Sequence, residues 1–176
     1  MHFEKVKRFE DKDIKLPIRA TVSSAGYDFY VAEDIVIPPQ DRLWQIMLEE
    51  YPNYNESVNL ETMAKITSTT KAKPTLVSTG VKAIIDSDKY LELSVRSSCP
   101  LKYWLVMANG VGIIDADYAN NPSNDGEIFF QLINFSPYPI QLCKGDCIGQ
   151  GIIKPYFKVD EDNVTKIRQG GFGSNG

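Results

Sequence analysis

Short runs of alternating apolar and polar residues dominate the chain, and residues that favour turns separate them. Every second side chain of a strand points to the same face, so this alternation is typical of a strand with one buried face. The spacing favours an all-β sandwich or barrel over alternating strands and helices. The runs predict strands at 28–39, 75–85, 90–98, 103–108, 126–135, 138–143 and 147–157.

The segment 41–74 lacks this alternation and mixes charged, amide and apolar residues. We interpret it as a segment inserted into the β core, with a short helix around 43–50 or 58–66.

Composition and charge narrow the class of protein. With 176 residues, of which 43% are hydrophobic and 24% charged, we expect one domain over residues 1–176. The charged start, MHFEKVKRFE, is unlike a signal peptide, and no run predicts a transmembrane helix, so we expect a cytoplasmic protein without membrane contact. A formal net charge of −4 argues against nucleic-acid binding, because that needs clustered positive charge.

The residue types also restrict the chemistry. The only histidine is His2, which excludes a histidine-based triad, and Cys99, Cys143 and Cys147 lack the neighbours of a zinc site. Carboxylates, arginines, hydroxyls, amides and glycine-rich backbone remain. This set suits a site that holds a polyphosphate, neutralises it with a divalent metal and activates water with an aspartate.

Several segments carry these residue types, and each has an ordinary structural alternative. Two glycines and two aspartates in NGVGIIDADY (109–118) suit a ligand against exposed backbone, but also a plain hairpin. The RSS sequence (96–98) offers a cation and two hydroxyls, or only a strand end. The tail RQGGFGSNG (168–176) is a closing arm or a frayed terminus.

Taken in order, the segments resemble the five motifs of the trimeric deoxyuridine triphosphatase (dUTPase) family. The resemblance implies a distorted jelly-roll-like β fold, a homotrimer with shared active sites, and Mg²⁺-dependent hydrolysis of dUTP to dUMP and pyrophosphate. This reaction keeps uracil out of DNA and supplies dUMP for thymidylate synthesis. The matching segments are AGYDFYVAEDIVI (25–37), VRSS (95–98), NGVGIIDADY (109–118), GDCIGQGII (145–153) and RQGGFGSNG (168–176).

The third motif would hold the nucleoside and the attacking water. By resemblance, Asp115 activates the water, and the ring of Tyr118 packs under the deoxyribose and excludes a 2′-hydroxyl. Asn109, Gly112 and Ile114 belong to the hairpin that pairs with the uracil edge. Cytosine would leave buried groups unpaired, so such a site rejects it.

The first, second and fourth motifs would hold the triphosphate. Ser97, Ser98 and Gln150 match residues on the α and β phosphates, and Arg96 matches the basic residue of the second motif. Asp28 matches an acid that orients the water shell of the Mg²⁺ ion.

The fifth motif matches an arm that crosses to a neighbouring subunit and closes over the nucleotide. Phe172 would cover the uracil and Arg168 would reach the γ-phosphate. The backbone of Gly173 and the hydroxyl of Ser174 would bind phosphate oxygens once the ligand offsets the entropy of ordering the arm.

The chain departs from the family pattern at several positions. Cys147 stands where arginine is usual, so an expected ion pair is absent or replaced, and Gly149 stands where alanine is usual. The sequence ANNPSND (119–125) lengthens the connection after Tyr118, and Asn175 replaces the usual threonine.

Two other functions stay open on this fold. A dCTP deaminase would need a glutamate where Gln131 stands, and glutamine cannot act as a general acid or base. A nucleotide-switched regulatory protein would use the 41–74 insertion as its contact surface, and this role can coexist with catalysis. The aromatic residues Trp44, Tyr51 and Tyr54 of the insertion also fit a trimer cap or, as we favour, a subunit interface.

Overall fold

The computed structural model describes residues 1–50, 52, 63 and 73–172. Two α-helices are described, α1 (Gln40–Glu50) and α2 (Ser98–Tyr103), with 3₁₀ turns at Lys7–Phe9 and Ala116–Tyr118. The described strands are β1 (His2–Lys5), β2 (Ile18–Arg19), β3 (Tyr27–Tyr30), β4 (Ile35–Ile37), β5 (Thr75–Ser78), β6 (Val81–Ile84), β7 (Lys89–Val95), β8 (Leu105–Met107), β9 (Gly112–Asp115), β10 (Phe129–Asn134), β11 (Ile140–Leu142) and β12 (Cys147–Pro155). The all-β prediction is therefore confirmed.

The strands form one large sheet and smaller ones, and the strands of each sheet pair antiparallel. The large sheet has the order β2-β3-β12-β7-β9, and a three-stranded sheet has the order β5-β10-β8. The strands β1 and β6, and the strands β4 and β11, form two-stranded sheets. The large sheet matters most for function, because every predicted site residue from the first four motifs lies on its strands or just beyond them.

Aromatic and aliphatic side chains fill the core between the sheets. Phe29 of the large sheet and Phe130 of the three-stranded sheet are fully buried, with ring centroids 5.8 Å apart. A Cβ atom at Gly149 would lie 2.0 Å from the Phe130 ring. The ring therefore occupies the space that a side chain at position 149 would need.

Two predicted strands each divide in two, because the chain passes from one sheet to another. In the run 28–39, the amides of Val31 and Ala32 bond to the carbonyls of Asp146 and Ser78, which separates β3 from β4. The run 75–85 divides at Gly80, whose φ of 68° breaks the extended backbone between β5 and β6.

The helices account for the other differences from the strand pattern. The predicted helix around 43–50 is confirmed as α1, whereas 58–66 lies outside the described residues except Met63. The predicted strand 90–98 ends at Val95, since α2 begins at Ser98. Proline at position 100 is tolerated in the first helical turn, where its missing amide is not needed. Neither helix in the described parts of the chain is long and apolar enough to cross a membrane.

Candidate active site

One group of predicted site residues surrounds a pocket of about 180 Å³, which we call the hairpin pocket. Strand β9 and the turn after it form one wall, and the C-terminal segment forms another. The predicted site residues that line the hairpin pocket are Asn109, Gly112, Ile114, Asp115, Tyr118, Arg168 and Phe172.

Asp115 ends β9 opposite Tyr90 of β7, and its side chain is half-exposed. The guanidinium of Arg168 holds this carboxylate through Nη2, and its Nε donates to Asp117 Oδ1 at 2.7 Å. Burial lowers the pKa of Arg168, but the hydrogen bond to Asp117 and the two carboxylate charges outweigh burial and raise it. Arg168 is therefore a permanent cation between two acids.

Tyr118 is buried, and its hydroxyl is bonded on both sides. The hydroxyl donates to the Glu127 carbonyl at 3.1 Å and accepts from the Asn124 amide at 2.7 Å. Burial raises the pKa of the Tyr118 phenol, against the smaller opposite effect of the Asn124 bond, so the ring stays neutral at pH 7. The ring lies in one fixed position beside the pocket.

Residues 168–172, the described part of the C-terminal arm, lie against the hairpin pocket of their own chain. Gly171 packs on the Tyr118 ring so closely that a Cβ atom would lie 2.8 Å from Cε2. Phe172 meets Phe129 edge to face at 6.1 Å between ring centroids. Gly173 and Ser174, which the resemblance also assigns to the site, lie outside the described residues.

The other predicted residues form a second group, which we call the Arg96 cluster: Asp28, Arg96, Ser97, Ser98 and Gln150. Strand register places Gln150 of β12 between Asp28 of β3 and Ser94 of β7. Arg96 follows β7, with its Nε 3.8 Å from Asp28 Oδ1. Ser97 precedes α2, and its side chain makes no capping hydrogen bond to that helix.

Cys147, which stands where arginine is usual, lies beside Arg96 and Asp28. The thiol is half-buried and pairs through its strand with Tyr30. Burial is the largest effect that raises the pKa of Cys147, and the nearby Asp28 charge adds to it. Cys147 and then Asp28 raise the pKa of Arg96. The distance of 3.8 Å between Arg96 Nε and Asp28 Oδ1 makes these two residues an ion pair beside Cys147.

The hairpin pocket and the Arg96 cluster lie apart on the large sheet. Asp115 faces Tyr90 on one side of β7, and Gln150 faces Ser94 on the other. From strand geometry, a shift of four residues along β7 and two strand spacings across it separates Asp115 from Gln150 by about 16 Å. Asp115 and Gln150 of one chain are therefore too far apart to contact each other.

The structure adds residues that the motifs do not predict. Glu127 is buried beneath Tyr118 and accepts from Arg8 Nε at 2.6 Å and from Nη2 at 2.7 Å. The hydroxyl of Ser78 bonds to the same carboxylate. The hydrogen bond and the charge of Glu127 raise the pKa of Arg8. No local pattern signals this pair, because its members are 119 positions apart.

Comparison with known proteins agrees with the motif order. The family model described as dUTPase matches residues 51–176. The deoxyuridine 5′-triphosphate nucleotidohydrolase of Lactococcus lactis subsp. lactis is 33% identical over 176 residues, which cover 99% of this chain and 96% of that protein. The enzyme of the same name from Wolbachia sp. subsp. Brugia malayi is 30% identical over 174 residues, covering 94% of this chain and 87% of that protein.

Solved structures show the same relationship. The crystal structure of dUTPase from Streptococcus mutans has a TM-score of 0.69 and 33% identity, and the match covers 91% of this chain and 99% of that chain. A mutant dUTPase from phage phi11 of S. aureus shares the fold, with a TM-score of 0.61 at 18% identity over 94% of this chain and 96% of that one. On the family match and the near full-length relatives, the chain belongs to the dUTPase family.

Proposed function

We propose that the active site of this dUTPase is assembled where the hairpin pocket of one subunit meets the Arg96 cluster of another. The reaction is hydrolysis of dUTP to dUMP and pyrophosphate. The observation that carries the proposal is the strand register, which places Asp115 and Gln150 on opposite sides of β7, about 16 Å apart by strand geometry. A nucleoside triphosphate bound in one hairpin pocket therefore needs its phosphate ligands from a second subunit.

The hairpin pocket binds the deoxyuridine. Uracil pairs with the β9 hairpin through Asn109 and the backbone near Gly112 and Ile114, and Phe172 covers the base. A Tyr118 ring that is buried and hydrogen-bonded leaves a fixed surface under the sugar. Selectivity against ribose follows, because the ring cannot shift to make room for a 2′-hydroxyl.

Asp115 acts as the general base. It takes a proton from a water molecule, the water oxygen attacks the α-phosphorus, and the bond to the pyrophosphate oxygen breaks. Arg168 binds the Asp115 carboxylate in this structure and can exchange it for the γ-phosphate. This exchange would free the base when the nucleotide is bound, and the arm, with Gly173 and Ser174, would then close over the phosphates.

The Arg96 cluster binds the α and β phosphates through Arg96, Ser97, Ser98 and Gln150. The Ser97 hydroxyl makes no capping bond to α2, and strand register holds Gln150 in place. Gly26 supports that position, since a Cβ atom there would lie 2.6 Å from Gln150 Oε1. The cluster therefore presents the Gln150 amide from a fixed position on β12.

The residues of the Arg96 cluster also fit a Mg²⁺ ion held jointly with the substrate. In the described part of the chain no three acidic, cysteine or histidine residues form a metal-binding group. Mg²⁺ commonly binds through one or two carboxylates, several waters and substrate phosphates, and Asp28 would supply the carboxylate through water. The bound ion would neutralise the triphosphate charge. The related phi11 protein coordinates a structural Mg(II) ion.

A homotrimer supplies the neighbouring subunit in this proposal. The segment before the arm exposes several apolar side chains, as expected of a surface that packs on another copy. The exposed fractions are 95% for Phe157, 80% for Val159, 81% for Val164 and 78% for Ile167.

Mixing two inactive variants tests the shared site. Asp115→Asn removes the base from the hairpin pocket, and Gln150→Ala removes a phosphate ligand from the Arg96 cluster. Refolded together at equal amounts, they should regain about a quarter of the wild-type activity, because random assembly gives that share of sites two intact halves. Pyrophosphate release from dUTP with Mg²⁺ is the measurement.

The controls separate the shared site from the reaction itself. Each variant refolded alone should stay inactive. The wild type should release little or no pyrophosphate when UTP, dCTP or dTTP replaces dUTP, or when a chelator is added. Active wild type without any recovery in the mixture would mean that each subunit builds a complete site. No release from dUTP by the wild type would contradict the proposed reaction.

A further inference from the structure

The lengthened loop after Tyr118 folds back onto the tyrosine and is built around two asparagines. The buried Asn121 amide donates to the Tyr118 carbonyl at 2.8 Å and to Asn124 Oδ1 at 2.7 Å. Asn124 Oδ1 also accepts from the amide of Gly126 at 3.1 Å. These bonds fix which way the Asn124 amide points, and its Nδ2 donates to the Tyr118 hydroxyl at 2.7 Å.

The base of the loop is anchored to the core. The buried Lys82 of β6 donates from Nζ to Asn120 Oδ1 at 2.5 Å and to both carboxylate oxygens of Asp125 at 3.2 Å. The backbone amide of Lys7 donates to Asp125 Oδ2 at 2.9 Å. The loop therefore has contacts to β6 and to the N-terminal turn, and it cannot move freely with respect to the sheet.

The Tyr118 hydroxyl is thus held at two points. Its proton goes to the Glu127 carbonyl, and its oxygen accepts from Asn124. Glu127 is itself fixed by Arg8. A ring held at its far end by a donor and an acceptor resists both tilting and sliding, because either motion breaks a buried hydrogen bond.

We infer that Asn124 is a specificity-determining residue that acts through Tyr118: it holds the ring in the plane that excludes a 2′-hydroxyl, and so favours dUTP over UTP. The inference rests on the proposed packing of deoxyribose on Tyr118. Asn124 is a positioning residue, since it touches the tyrosine and not the substrate. The loop that departs from the family pattern then has a function in substrate selection.

The test compares kcat/KM for dUTP and UTP in the wild type and in Asn124→Ala. Loss of one buried hydrogen bond corresponds to about a fivefold change, so we expect the preference for dUTP to fall about fivefold. The lower preference should come mainly from a higher kcat/KM for UTP. Ser123→Ala is the matched control: Ser123 lies in the same loop, its hydroxyl donates to Asn121 Oδ1 rather than to Tyr118, and this variant should leave the preference unchanged.

Two further variants separate positioning from general loss of structure. Asn124→Asp keeps the acceptor for Gly126 but removes the donor to Tyr118, and it should lower the preference in a protein that still folds. In a Tyr118→Phe background, which lacks the hydroxyl, Asn124→Ala should change the preference no further.

The outcomes are distinct. An unchanged preference in a folded Asn124 variant, an equal loss for both nucleotides, or the same change in the Tyr118→Phe background would overturn the inference. A wild type that does not prefer dUTP would contradict the proposed function instead.

Discussion

The hairpin pocket and the Arg96 cluster differ in how they are held. In the hairpin pocket, Tyr118 is buried and bonded at both sides of its hydroxyl, and Gly171 of the arm packs on the ring. In the Arg96 cluster, strand register fixes Gln150, but Arg96 is 42% exposed and lies 3.8 Å from Asp28. On the proposed roles, the group that binds the nucleoside is held rigidly within one chain, whereas Arg96 of the group that binds the phosphates is partly exposed.

This difference follows from the chemistry of the two parts of the substrate. Rejection of cytosine and ribose depends on buried groups that a wrong substrate leaves unpaired, so that part must be rigid before binding. The triphosphate is highly charged and strongly hydrated. The side chains that bind it need to adopt their final positions only when the nucleotide binds. A site divided between subunits suits both requirements.

The largest expected effect is loss of the base from the hairpin pocket. Asp115→Asn should lower kcat by about 10²–10⁴-fold while nucleotide binding persists, because a general base contributes about that much. Asp117→Asn is the matched control, since Asp117 also binds Arg168 but is the more exposed carboxylate, and it should lower kcat less than tenfold. Single-turnover rates and binding titrations distinguish the two. If Asp115→Asn kept nearly the wild-type turnover, another residue would have to be the general base.

The next effect is loss of the arm. Truncation after Ile167 should lower kcat by about 10–100-fold, the magnitude of losing one or two charge-assisted hydrogen bonds to phosphate, without dissociating the oligomer. Pyrophosphate release and size-exclusion chromatography measure the two properties.

Asn163→Ala is the control for the arm, since it alters the preceding segment, where its side chain donates to the nearby Glu161 carbonyl. A truncated protein with full activity would show that the hairpin pocket functions without its cover.

A third effect concerns stability beside the Arg96 cluster. Gly149→Ala restores the residue usual in the family, yet the Phe130 ring fills the site here. Overpacking should lower the free energy of unfolding by about 1–3 kcal/mol, seen as a lower Tm at fixed protein concentration. Combining it with Phe130→Leu should recover part of the loss, because the smaller side chain vacates that space. An unchanged Tm would show that the ring can move aside.

The sequence predicts the residues of the hairpin pocket better than the buried residues that hold them in place. Asp115 and Tyr118 lie in one short motif, so local geometry alone brings them together. Gln150 and Asp28 meet only through strand register, and the motif order implied their shared site through resemblance. Arg8 and Glu127 are far apart in the chain, and neither alternation nor composition indicates that they pair. The alternation also continues through Gly80, whose φ of 68° separates β5 from β6, and runs to Ser98, where α2 begins.

The smallest expected effect tests the anchor of the Tyr118 loop. Burial raises the pKa of Asp125, but the bonds from the Lys7 amide and Lys82 outweigh it and leave this pKa below its ordinary value. The unfolded state therefore binds more protons in acid, so the stabilisation by Asp125 is complete above pH about 3.9 and is lost as the pH falls through the folded pKa.

The difference in Tm between the wild type and Asp125→Asn should thus be largest at neutral pH and shrink towards pH 3. Asp160→Asn, at an exposed position of the C-terminal segment, controls for the change in net charge. If the difference in Tm were constant from pH 7 to pH 3, the Asp125 carboxylate would not hold the loop through its charge. The dUTP preference of Asp125→Asn should then also match that of the wild type, since the loop would be held by its asparagines alone.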